Sequence, residues 1–135
     1  MGARGIALPA VLALLTPAAA AAACPALDAP TGTASQSGYQ LTYRVDPAEI
    51  RVGAPFAIDV SVCAAGEPFG GALKVDADMP AHRHAMNYWP DVHSEGPGRF
   101  RVEGLLFHMR GAWRLRFELT TAGRPVRLDI PQIVE

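Results

Sequence analysis

From residue 39 onward apolar and polar side chains alternate along most of the chain, the spacing of strands that bury one face. Tyr39, Leu41, Tyr43 and Val45 share one phase, and Asp46-Pro47 ends the run. Phe56, Ile58, Val60 and Val62 alternate with Ala57, Asp59 and Ser61, and residues 64–71 read as a turn. Leu73, Val75 and Ala77 then alternate with Lys74, Asp76 and Asp78. A short strand over Tyr88–His93 is expected to return through Ser94–Gly98 into a second strand that reaches Phe107, with Phe100 and Val102 in phase. The clearest pattern comes late: Trp113, Leu115, Phe117 and Leu119 oppose Arg114, Arg116 and Glu118. Val126, Leu128 and Ile130 close the series opposite Arg127 and Asp129. No segment holds a helical period over ten residues. Short strands with one apolar face can bury it only by packing two sheets together. The expected fold is all-β, an immunoglobulin-like sandwich of about seven antiparallel strands.

What precedes the first strand differs in kind. Residues 1–23 carry one basic residue, Arg4, then an apolar stretch, then a run of alanines, which is the layout of a secretory signal peptide. Pro9 and Pro17 interrupt it, and its alanine-rich second half is too weakly apolar to hold a membrane span. Removal of this leader would leave an exported, periplasmic protein of about 112 residues that does not span a membrane. Residues 24–38, rich in Ala, Pro, Thr, Ser and Gly, read as an extended lead-in, and residues 39–135 as the single domain.

Charge and cysteine content narrow the function. Leaving out Arg4, eleven basic side chains face thirteen acidic ones, which argues against a nucleic-acid partner, since that needs clustered positive charge. Two cysteines remain, Cys24 and Cys63. In an oxidising compartment they are expected to pair and tie down the terminus. The alternative is acylation of Cys24 as a lipid anchor. The Ala21-Ala22-Ala23 segment before it lacks the large aliphatic residue expected three positions upstream of such a site.

The candidate chemistry lies in two segments, Met79-Pro-Ala-His82-Arg-His84-Ala-Met86 with His93 just beyond, and His108-Met109. They contain every histidine and every methionine except Met1. The hairpin brings both segments to one end of the sandwich, where loops carry sites. Imidazole with thioether suits copper, Cu(I) first and Cu(II) as a second possibility. His82, His84 and His108 with Met86 or Met109 form the expected ligand set, and Met79, in phase with Leu73, Val75 and Ala77, is either a core residue or a reserve ligand. Tyr88, Trp89 and Trp113 are expected to shield it. No serine stands in a nucleophile motif, no paired carboxylates are signalled and no glycine-rich phosphate loop occurs, so no enzyme is expected.

The segments MPAHRHAMNYWPDV and GRFRVEGLLFHMRGAWRLRFEL resemble the YtkA-like domain family, small exported immunoglobulin-like proteins similar in build to the copper-resistance CopC and copper chaperone PCuAC groups. The likeness spans about Tyr39 to Ile130, with the Phe107–Trp113 turn intact and Ala85 where the family usually has glycine. It implies a periplasmic copper-binding carrier serving respiratory oxidase assembly or copper tolerance. A second expectation is an interaction module in which the same end meets a membrane-bound oxidase or transporter without metal.

Overall fold

The computed structural model describes residues 1–2 and 22–135, so the leader falls almost wholly outside the described residues. Ten strands follow: β1 (Gly32–Gln36), β2 (Tyr39–Asp46), β3 (Pro55–Ala64), β4 (Glu67–Pro68), β5 (Ala72–Met79), β6 (His84–Ala85), β7 (Asp91–Gly96), β8 (Arg99–Leu106), β9 (Gly111–Thr120) and β10 (Val126–Val134). One sheet has the order β1-β2-β3-β8-β7 with β4 on β3, and the other β10-β9-β5-β6. The expected all-β sandwich is what the chain forms. The strands beyond the expected seven are short: β4 and β6 have two residues each, and β1 has five.

The period-two faces meet in the middle. Leu41, Ile58, Val60 and Val102 from the first sheet close on Leu115 and Phe117 from the second, all essentially without exposure. The β7–β8 hairpin turns later than expected, because Ser94 still pairs with Phe100 and Gly96 with Arg99. Gly98 makes that possible. Its φ is +68°, and a side chain there would meet the Val62 carbonyl at 2.5 Å.

β3 is buried along its whole length from Phe56 to Cys63, on its outward face as well as its inward one. The cover on the outward side is the lead-in. Cys24 is joined to Cys63, the Ser61 hydroxyl donates to the Pro25 carbonyl, and Arg44 Nη1 donates to the Asp28 carbonyl at 3.4 Å. The chain then doubles back, with Thr31 N donating to Tyr43 O at 2.8 Å, and runs into β1. β1 belongs to what the sequence shows only as lead-in, because Gly32–Gln36 has no large apolar residue and borrows its order from β2. The expected cysteine pair is present. A sulfur in a disulfide carries no acyl chain, so the lipid-anchor alternative at Cys24 does not describe this form. Among the described residues no helix is long and apolar enough to cross a membrane.

The outer faces carry ion-pair clusters. Asp59, buried beneath the lead-in, receives Arg44 Nη2 at 2.6 Å and Arg101 Nη1 at 2.9 Å. Asp78 receives Arg114 at 2.6 Å and Arg116 at 3.1 Å. Burial pushes the Asp59 carboxyl up, and the two guanidinium groups outweigh it, leaving the pKa below the usual carboxylate value. Asp78 is lowered chiefly by its hydrogen bond from Arg114. A carboxyl depressed in the folded state adds stability above its unfolded pKa of about 4, and loses that contribution as pH falls through the folded value. The urea midpoint should therefore hold from neutral pH to about pH 5, then fall steeply below about pH 4, with a shallower fall in Asp59→Asn. A flat midpoint down to pH 3 would show that these carboxylates do not carry the acid limb.

Strand direction sorts the loops between two ends. Met79, Leu106, Gly111 and Val134 reach one end, and the loop over residues 47–54 joins them there. At the other end lie the tight connections at Ser37-Gly38, Ala65-Gly66 and Pro97-Gly98.

Candidate metal centre

The first of those ends holds three of the four histidines, His82, His84 and His108. β5 and β6 form a hairpin in which Met79 faces His84, closed by a turn through Pro80–Arg83. His82 N donates to Met79 O at 3.1 Å, and Arg83 has φ +55°. The two-residue spacing of His82, His84 and Met86 would put all three on one face of an extended segment, and the turn breaks that alternation. His82 sits in the turn and is exposed, while His84 starts β6 and is half-buried. Met86 continues the pairing through its N–H to Ala77 O at 3.0 Å, which carries its side chain into the core.

The second segment arrives from β8. Gly53 N donates to Phe107 O at 2.8 Å, which pins the β8–β9 connection to the 47–54 loop. Trp113 Nε1 donates to Met109 O at 2.9 Å and closes the turn from the other side. Gly111 joins the two segments. Its φ is +133°, a conformation that favours glycine, and the Met79 methyl lies 2.6 Å from where a side chain there would begin.

The imidazoles converge from both. The ring centroids of His84 and His108 are 5.1 Å apart with planes 33° from parallel, and His82 lies 5.8 Å from His84. Trp113 forms the wall beside them, edge-on to His108 at 5.3 Å and to His84 at 6.0 Å. It is stacked in turn on Phe107 at 4.6 Å. His108 Nδ1 is buried and the protein gives it no hydrogen-bond partner. Buried polar nitrogens are almost always paired, so a lone imidazole nitrogen beside a second imidazole leaves one bonding position open at this end.

The expected ligands thus separate into groups. His84 and His108 are brought together, and His82 stands next to them on the solvent side. Met79 is 1% exposed and belongs to the core, as its phase suggested. Met86 is buried and Met109 partly so, at the same end. His93 lies exposed on β7 beside Glu103, 3.8 Å away, on the outer face. Among the described residues no three His, Cys, Asp or Glu side chains are grouped closely enough to hold a metal ion unaided. The imidazoles of His82, His84 and His108 and the methionines of the same end are the side chains any site here would be built from.

The shielding expected of Tyr88 and Trp89 is not found, since they are 54% and 82% exposed on the connection from β6 to β7. Of the three aromatics, Trp113 is the one whose ring lies against His84 and His108. Asn87 and Pro90 flank the two aromatics, and no alternating pattern ties them to a face. Sequence reasoning noted Gly111 only as part of the Phe107–Trp113 turn and gave its approach to Met79 no place.

No family model matches this chain, and no curated protein or solved structure matches it either.

Proposed function

We propose that this protein binds copper at the His84–His108 end of the sandwich and works as a periplasmic carrier, as its resemblance to YtkA-like domains implies. The observation that carries the reading is the unpartnered His108 Nδ1 within a group of three imidazoles, at the end that also holds Met86 and Met109. His84 and His108 are the first ligands, and His82 reaches them from solvent. Met86 and Met109 supply soft donors that favour Cu(I). Trp113 holds the imidazoles and limits water on one side, while the exposed His82 side leaves a path for ligand exchange. Such a protein hands copper to an acceptor in oxidase assembly or copper tolerance and catalyses nothing.

The test is an anaerobic titration with Cu(I) against a competing chelator, repeated with Cu(II) and zinc. One copper per chain is expected, with affinity lowered roughly tenfold or more in His84→Ala, His108→Ala and Met109→Ala. Met86→Leu keeps the core volume and removes only the thioether. Failure to compete with the chelator, with circular dichroism unchanged, sinks the copper reading.

A further inference from the structure

Aromatic rings in this domain pack against one another, with two exceptions. All five phenylalanines, Tyr39, Tyr43 and Trp113 each lie against another ring of the core. Tyr88 and Trp89 meet no second ring among the described residues, and they are the two exposed aromatics of the domain. The one indole hydrogen bond among the described residues is that of Trp113, and no backbone hydrogen bond outside the strands involves residues 87–90. The segment is held at its two ends, Met86 by its N–H to Ala77 O and Asp91 by its pairing with Glu103. Between them it passes Gly104, where a side chain would come no nearer than 3.9 Å to Pro90 Cα and Trp89 O, which is ordinary contact. Few contacts and an unpaired backbone are the marks of a segment that opens at low cost.

The topology sets this segment beside the histidine site. Residues 87–90 leave β6, which begins with His84, and enter β7, the neighbour of the strand β8 that leads to His108. β6 and β7 are each the edge of a sheet, so the connection crosses one side of the sandwich between the two strands that deliver these imidazoles. Trp113 stands on β9, across β5 from β6, and covers the imidazoles from the other side. Two aromatic side chains bury roughly 150–250 Å² each, well short of the roughly 800 Å² that one partner buries in a stable interface. The mouth of a small site needs no more than one ring.

The chemistry of the ring says when it closes. Imidazoles alone offer the indole face no charge to meet, whereas a cation held between His84 and His108 does, because that face is negative. A ligand moves a segment between two positions only through such a difference in contact. We propose that residues 87–90 form a lid, and that Trp89 turns in over His84 and His108 when copper is bound there. This rests on the copper reading above. It makes Trp89 part of the loaded site only, where it slows release of the cargo, and it makes opening of the lid the step at which an acceptor takes the ion.

The test is fluorine NMR of the anaerobic, disulfide-intact protein labelled with fluorotryptophan, whose two tryptophans give two signals that Trp89→Phe assigns. In the metal-free protein the Trp89 signal should shift between ordinary and heavy water, as that of an exposed ring does, and the Trp113 signal should not. One equivalent of Cu(I) should remove most of the Trp89 response. Transfer of Cu(I) to a competing chelator should be roughly fivefold faster in Trp89→Ala, and as fast in Trp89→Leu, which keeps an apolar side chain without the π face. Position 89 is exposed, and circular dichroism checks the fold of each variant. Copper bound with the Trp89 response unchanged overturns the lid and leaves the copper site standing. Failure to take Cu(I) from the chelator overturns both. A Trp89 response that falls with protein concentration or with added phospholipid vesicles, and not with copper, gives the ring to a second copy or to a membrane and overturns the lid as well.

Discussion

Trp113→Ala is expected to destabilise the domain by about 3–5 kcal/mol and to weaken copper binding together with stability. Trp113 is 1% exposed and stacked on Phe107, so its removal leaves a cavity at the site end where β9 begins. It also frees the Met109 carbonyl, which the indole N–H holds at 2.9 Å, and takes away the edge that both His84 and His108 rest against. Trp113→Phe separates these effects. It keeps most of the stack and loses the hydrogen bond, for about 1 kcal/mol. Urea unfolding of the three proteins, followed by metal titration under conditions where each is fully folded, is the measurement. A loss of less than 1 kcal/mol in Trp113→Ala would mean that the turn stands without the indole, and that the imidazoles are placed by β6 and β8 alone.

The dependence on Trp113 explains why the fold was more readable in the sequence than the site. Strand identity comes from alternation, a local pattern, and β2, β3, β5, β8, β9 and β10 all carry it. Even the placement of His84 near His108 follows from counting strands and turns. What decides the site is not local. His82, His84 and Met86 look like one face of an extended segment, yet a turn with Arg83 at positive φ sets His82 outside. Tyr88 and Trp89 sit beside the histidines in sequence and point to solvent, while Trp113 comes from another sheet position to form the wall. The approach of Gly111 to Met79 is likewise a contact between segments more than thirty residues apart. β1 escaped notice for a related reason, since its order is supplied by β2 and by the lead-in fastened across β3.

That fastening leads to the other large effect. The double substitution Cys24→Ala/Cys63→Ala is expected to cost about 4 kcal/mol, the loop entropy released when a cross-link spanning 39 residues is removed. The loss has a structural side as well. Without the bridge, the Ser61 hydroxyl bond to Pro25 and the Arg44 bond to Asp28 must hold the lead-in alone against its entropy. The outward face of β3 then opens to water, and amide exchange should rise in residues 24–31 before it rises in β9. Copper affinity of the folded fraction should not change, because Cys63 pairs with Gln40 and Pro68 near the end opposite His84. The double variant therefore separates stability from metal binding in the direction Trp113→Ala cannot. If its urea midpoint matches the parent protein, the lead-in is held by its hydrogen bonds and the bridge is an accessory. If copper affinity falls with the fold intact, the two ends of the sandwich communicate through β3, and the site extends further than its imidazoles.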